Sequence, residues 1–377
     1  MNKVIGIVTE YNPFHNGHKY QIDKIREKYG DATIIVVTSS SFTQRGYISL
    51  LNKFDKAEIA LLNGIDLVIE LPYVYSTRSS DMFAHAAIKI LNYLKIDVLC
   101  FGSERDNIDD IWKCADTEIN NKEYDSLVRN YLDTGINYPT ALNKALKSLI
   151  NVEVTEPNDL LALSYIKEII KNKYNIEVFN IKRTNSFHDI ESNDDIVSAS
   201  NIRNKILNNE SIKNYVPDNV YSKLKNIKLN NKYFELLKYK IYSESDLEKY
   251  LDVDEGLSTR IRNAIDKSSN TEELIQNIKT KRYTYNKISR MLNHILCSFT
   301  KMERDEVNNI EYIRVLGFNN KGQKHLNSIK DNIDIKILNK FDTSYKALEI
   351  EKRVSYIYSL IMDDIMDVEI KNIPVKK

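Results

Sequence analysis

The spacing of apolar positions changes character near the middle of the chain. Val4, Ile5, Gly6, Ile7 and Val8 form a nearly unbroken apolar, β-branched run, the pattern of a strand covered on both faces. Tyr20, Ile22, Ile25 and Tyr29 then recur at near-helical spacing up to Gly30, a helix stop. Further runs at 32–37, 66–72, 97–101 and 177–181 predict four more strands, with Pro72 stopping the one that precedes it. Helices are predicted over 56–62 and 82–94 and from Pro157 onward, a proline suited to a first helical turn. Strands alternating with helices predict an α/β fold with a Rossmann-like open parallel sheet over residues 1–205. Residues 107–150, which carry Trp112, read as a helical insertion within it. From 206 to 377 the strand signal fades, and a mainly α-helical C-terminal domain is predicted, with a short mixed segment at 312–318 and two closing helices.

The stretch Asn12-Pro13-Phe14-His15-Asn16-Gly17-His18 falls between the first strand and the first helix. That is the carboxyl edge of a parallel sheet, where ligands bind and where a helix N-terminus offers free N–H groups to a phosphate. Gly17 would let the backbone approach such a ligand. His15 and His18 would point into the mouth of the turn, where imidazoles and amides can steady charge on phosphate oxygens during nucleotidyl transfer. The alternative is a turn with two solvent-facing histidines. A second stretch, Ser198-Ala199-Ser200-Asn201-Ile202-Arg203, sets hydroxyl residues before a helical pattern. Ser200 and Arg203 suit a pyrophosphate cradle, or else form an ordinary cap with a surface arginine.

Charge and composition narrow the partners only slightly. The 377 residues carry 54 Lys and Arg against 53 Asp and Glu, so bulk charge gives no argument for nucleic acid. Cys100, Cys114 and Cys297 are too scattered for a zinc site or a disulfide framework, which fits a reducing cytosol. No run reaches the length of a membrane span, and the N-terminus reads as a strand rather than a signal peptide. Glu10, Glu70 and Glu104 fall at strand ends and can help hold magnesium with phosphates, but no spacing fixes the ligands. Gln44 and Arg45 can orient a carboxylate or a phosphate, or lie in a solvated loop. Lys182 beside Arg183 either meets the nucleotide or makes surface ion pairs. His85 reads as a packed helix residue, and His188 with Asp189 as either a dyad or a loop pair.

The two phosphate-edge motifs together resemble the nucleotidylyltransferase superfamily. Adding Phe42-Thr43-Gln44-Arg45-Gly46, Phe101-Gly102-Ser103-Glu104, Pro157-Asn158-Asp159, Ile181-Lys182-Arg183 and Arg314-Val315-Leu316-Gly317-Phe318-Asn319 makes the chain similar to the bacterial tRNA(Met) cytidine acetate ligases over most of its length. Two positions depart from that pattern: Ser39-Ser40-Ser41 before Phe42, and Ala162 in place of a glycine. The resemblance implies a two-step ligase in the cytoplasm. Acetate and ATP, accompanied by magnesium, give acetyl-adenylate, and the acetyl group passes to N4 of the wobble cytidine of elongator tRNA(Met). It implies catalytic roles for His15 and His18. It implies ATP contacts at Ile7, Val8, Thr9, Glu10, Tyr11, Asn12, Pro13, Phe14, His15, Asn16, Gly17, His18, Lys19, Tyr20, Gly102, Asn158, Arg183, Ser200 and Arg203.

The helical half carries Arg260, Lys281, Arg282 and Arg290 among tyrosines, cations and aromatics that suit RNA phosphates and bases, and tRNA contacts are expected there. Composition alone favours a solvated charged face, and it is the resemblance that turns the reading towards RNA. Two other functions share the histidine motif. One is a nucleotidylyltransferase acting on a phosphorylated metabolite, which leaves the basic helical half unexplained. The other is an RNA-binding nucleotide sensor without turnover.

Overall fold

The computed structural model describes residues 2–183, 196–227, 230–280, 283–364, 369 and 373–377. Its spine is one sheet built from β1 (Val4–Thr9), β2 (Thr33–Ser39), β3 (Leu67–Leu71), β4 (Val98–Ser103), β5 (Glu177–Lys182), β6 (Tyr312–Phe318), β7 (Lys336–Leu338) and β8 (Val375–Lys376). The strands lie in the order β5-β4-β1-β2-β3-β6-β7, with β8 also paired to β6. The first five strands are parallel. Chain order reverses between β1 and β4, which is the switch point where an open α/β sheet leaves a crevice at its carboxyl edge. Helices cover both faces, so β2 is buried along its whole length, as its unbroken apolar run requires.

Loop carboxylates fix strand ends that the ladder leaves open. Asp97 Oδ2 accepts the Val4 N–H at 2.6 Å, and Asp66 Oδ2 accepts the Ile34 N–H at 2.8 Å. The insertion forms the helices Asp109–Asn120, Tyr124–Asp133 and Tyr138–Ile150, and the first of them packs against the Pro157–Asn172 helix.

The C-terminal half is mainly helical, but the sheet does not end near residue 205. The segment expected to be mixed, 312–318, is strand β6, laid antiparallel against β3. One continuous core joins Leu71 and Tyr73 to Leu292, Phe299 and Leu348. The change of pattern at 206 therefore marks a change of element type and not a boundary between cores.

A buried ionic cluster explains how β6 carries an arginine. Arg314 bonds Glu369 and lies 3.3 Å from Glu70. The Lys53 ammonium sits among Glu70 (2.5 Å), Glu351 (2.8 Å) and Glu369. These three carboxylates are grouped closely enough to hold a metal ion, but Lys53 already occupies that place. Glu70 is thus a member of this cluster, away from the ligand edge. Neighbouring Lys53 and Arg314 hold the Glu369 carboxyl down at about 2 despite its burial, and the three carboxylates hold the Lys53 ammonium above its ordinary value.

Removing one partner of a buried ion network strands the others. Lys53→Ala is expected to cost about 3–5 kcal/mol and to lower the urea midpoint accordingly. An unchanged midpoint would show that the cluster does not hold β6 and the C-terminal segment to the sheet.

Candidate active site

The turn after β1 is organised by its own polar side chains. Tyr11 adopts φ 44°, unusual for a bulky residue, and the Asn12–Pro13 bond is cis. Asn12 accepts the Leu50 N–H and donates to the Ile48 carbonyl, both at 2.9 Å, pinning the loop beneath the turn. His15 then caps the Asn16–Tyr29 helix in an extended conformation.

The cap is reciprocal. His15 Nδ1 accepts the Gly17 N–H at 3.0 Å, and His18 Nδ1 accepts the His15 N–H at 3.2 Å. It is a capping box made with two imidazoles. A neutral ring that accepts at Nδ1 carries its proton on Nε2, so both histidines are fixed as Nε2–H donors. The rings lie 3.9 Å apart, with Tyr11 4.8 Å and Phe14 5.5 Å from the His18 ring. Burial, then Arg183 and Arg203, push His15 down to about 3. Burial, then His15 and Arg183, push His18 well down too. Both rings are neutral donors at ordinary pH.

Gly17 also has a packing role that its spacing does not show. A Cβ there would come within 2.8 and 2.9 Å of the His15 ring, so the glycine makes room for the capping imidazole.

The histidines open into a cavity of about 780 Å³. Val8, Thr9, Glu10, Tyr11, Asn12, His15, Gly17, His18 and Tyr20 line it from the first segment. Ile7, Pro13, Phe14, Asn16 and Lys19 do not line it. Ile7 and Phe14 are core residues, Asn16 donates to the Asn214 carbonyl, and Lys19 pairs with Asp23. Gly102, Asn158, Arg183, Ser200 and Arg203 all line the cavity. Asn158 donates to Glu104 at 2.5 Å instead of capping its helix, and that bond also occupies Glu104.

Arginines supply the positive wall. Arg203 donates to the Asn12 carbonyl at 2.7 Å and to Ser200 at 3.0 Å, while its guanidinium stacks over Tyr47 at 4.7 Å. Ser198 is the helix cap, accepting the Asn201 N–H. Arg183 is largely buried, and its Nε has no hydrogen-bond partner among the described residues. Burial lowers the Arg183 and Arg203 pKa values, but an arginine remains charged. Lys182 also lines the cavity, although it makes an exposed ion pair with Asp106.

The helical half completes the walls in a way that spacing could not show. Tyr285 and Asn286, at the start of the Tyr285–Leu296 helix, line the cavity. The same helix clamps the Gln44–Gly46 turn. Arg290 donates to the Gln44 carbonyl and Asn293 to the Gly46 carbonyl. Gly46 has φ 86°, and a Cβ would meet the Arg290 backbone at 2.8 Å. Arg290 is thus a largely internal tie. Arg260 binds the carbonyls of Asn277, Ile278 and Lys279, ending the Thr271–Ile278 helix. Lys281, Arg282, His188 and Asp189 lie outside the described residues. His85, on the Ser80–Tyr93 helix, pairs with Glu168 of the Pro157–Asn172 helix. No helix among the described residues is long and apolar enough to cross a membrane.

Among the described residues, no cluster of carboxylates lines the cavity to hold magnesium. Glu10 is the single carboxylate among the described lining residues, and one of its oxygens accepts the Gln44 N–H. Any magnesium accompanying a nucleotide would be carried on phosphate oxygens and water, neutralising charge there.

Three comparisons bear on this geometry. Residues 1–372 match the family model described as HIGH Nucleotidyl Transferase. The chain is 37% identical to a tRNA(Met) cytidine acetate ligase of Clostridium tetani, over 95% of each chain. It is 35% identical to the enzyme of that name from Oceanobacillus iheyensis, over 95% of this chain and 94% of the other. Among solved structures it is similar to Thermotoga maritima TmcAL bound with alpha-thio ATP, with a TM-score of 0.88, 27% identity and full coverage of both chains. The apo form of that protein gives a TM-score of 0.91 at 25% identity over 99% of each chain.

The neutral histidines make the cap acid-sensitive. Their folded pKa values lie below the ordinary 6.5. The stability they lend is therefore complete above that pH and is lost as pH falls towards the folded values. The melting temperature should drop on acidification below about pH 6. His15→Asn retains a capping side chain and should show a smaller drop. An equal drop in both proteins would place the acid sensitivity elsewhere.

Proposed function

The chain belongs to the HIGH nucleotidyl transferase family and, within it, to the tRNA(Met) cytidine acetate ligases, and from that premise we propose how its own residues divide the reaction. The enzyme uses ATP and modifies tRNA(Met). In the first half-reaction an acetate oxygen attacks the α-phosphorus of ATP. The new O–P bond gives acetyl-adenylate, and pyrophosphate leaves. In the second half-reaction N4 of the wobble cytidine of the elongator tRNA takes the acetyl group and AMP leaves.

One observation carries this reading. Two histidines locked as Nε2–H donors open at the sheet's switch point into the same cavity as Arg183 and Arg203. Phosphoryl chemistry at an α-phosphate needs orientation and charge stabilisation more than covalent help, and preorganised donors supply both. His15 and His18 would steady the α-phosphate as negative charge moves onto the leaving pyrophosphate. Arg203, with Ser200, and Arg183 would receive the remaining phosphates. Gly102, which lies beside Arg183, and Asn158 would border the nucleoside. An anticodon-loop cytidine is single-stranded and can leave its stack to enter the cavity at low cost. The proposed location is the cytosol, where the three thiols, all buried and free, would remain reduced.

The reading is tested by pyrophosphate–ATP exchange with and without acetate, before any tRNA is added and then with total tRNA. Acetate-dependent exchange is expected, and His18→Ala should lower it by at least about 10²-fold while tRNA binding persists. No exchange under either condition would favour a nucleotide sensor. Exchange at the wild-type rate in the variant would remove His18 from catalysis.

A further inference from the structure

The second half-reaction has a requirement that the cationic wall cannot meet. The exocyclic amine of cytidine carries two protons, and its lone pair is delocalised into the ring. Bonding to an acetyl carbon must shed one of those protons, so an acceptor is needed within reach. His15 and His18 are unsuited, since each Nδ1 already accepts a backbone N–H and each Nε2 carries a proton. Arg45, Lys182, Arg183 and Arg203 offer only donors. Among the described residues lining the cavity, one carboxylate remains, that of Glu10.

We propose that Glu10 is the proton acceptor of the acetyl-transfer step, an inference that rests on the function proposed above. Cytidine N4 attacks the carbonyl carbon of acetyl-adenylate and forms the N–C bond. The C–O bond to the α-phosphate oxygen breaks, and AMP leaves with that electron pair. One N4 proton passes to the Glu10 carboxylate and from there to water.

The geometry suits this task better than phosphate binding. Glu10 directly follows β1 at the switch point, beside the histidine turn. Its Oε1 accepts the Gln44 N–H at 2.5 Å, which orients the carboxylate, while Oε2 has no hydrogen-bond partner among the described residues. The Lys56 ammonium holds the Glu10 carbonyl at 3.1 Å from behind, so the residue is anchored at both main chain and side chain. The groups facing the carboxylate are Arg45 from the loop after β2, Lys56 from the Lys53–Leu62 helix, Arg203 from the Ala199–Leu207 helix and the Tyr165 phenol from the Pro157–Asn172 helix. Burial raises the proton affinity of the carboxylate above that of an ordinary glutamate, and the Gln44 N–H and then the three cations hold part of that rise back. A buried carboxylate of this kind would repel phosphates, yet it is a stronger base than an exposed one.

Glu10→Gln retains an oxygen for the Gln44 N–H and removes only the basic group. The first measurement is single-turnover transfer from prepared acetyl-adenylate to elongator tRNA(Met), which bypasses activation. Acetate-dependent pyrophosphate–ATP exchange is followed in parallel. Transfer is expected to fall by about 10²–10⁴-fold, the usual reach of general base catalysis, and exchange by a clearly smaller factor that reflects only the lost charge in the cavity. The wild-type transfer rate should rise with pH along one acidic limb that the variant lacks. The proposal falls if transfer and exchange drop together, if transfer proceeds at the wild-type rate, or if the variant's exchange needs markedly more magnesium, which would make Glu10 a metal ligand. Absence of acetate-dependent exchange in the unaltered protein would instead overturn the parent reading.

Discussion

Two buried lysines one turn apart, Lys53 and Lys56 on the Lys53–Leu62 helix, hold the carboxyl edge of the sheet in place. Lys56 donates to the carbonyls of Glu10, Ser39 and Ser40 and to the Ser49 hydroxyl, gathering the ends of β1 and β2 at one ammonium. Lys53 gathers Glu70 from β3, Glu351 from the Lys346–Met362 helix and Glu369. The Ser40 hydroxyl links the two groups by donating to Glu351 at 2.5 Å. Burial pushes Lys56 down to about 7, with Glu10 opposing the shift, whereas the surrounding carboxylates hold Lys53 up. A buried charge persists only where its partners are held in place, so this helix start and the strand ends specify one another.

The histidine turn depends on that edge and turns a structural device into a chemical one. A serine or aspartate would cap the first helix equally well. An imidazole cap also leaves a second nitrogen, and the reciprocal cap commits that nitrogen on both rings to donating. The same bonds that end the helix therefore decide which protonation state the cavity sees. Gly17 belongs to this device through the space it leaves for His15.

The cavity is shared between the halves of the chain. Its floor comes from strand ends, its positive side from Arg183 and Arg203, and part of its rim from Tyr285 and Asn286. The Tyr285–Leu296 helix also fixes the Gln44–Gly46 turn, whose amide orients Glu10. The helical half thus reaches the chemistry through packing as well as through whatever RNA it receives.

Local pattern determined the parallel strands, the place of the histidine motif and the serine–arginine helix start, because each is set by residues adjacent in the chain. Buried runs of period-free apolar residues become central strands, and a glycine-bearing turn between a strand and a helix becomes a ligand edge. Tertiary structure alone decided the rest. Arg314 in an apolar run obscured β6, since an arginine in a strand is tolerated only where distant Glu70 and Glu369 meet it. Arg260 and Arg290 read locally as surface cations, because nothing nearby in the chain shows that they donate to carbonyls of another helix and of a loop 246 residues away. Glu10 was visible as one acid among many, and its isolation among cations and donors exists only once the cavity closes around it. Charge partners and cavity walls are contacts between residues distant in sequence, and no local periodicity encodes them.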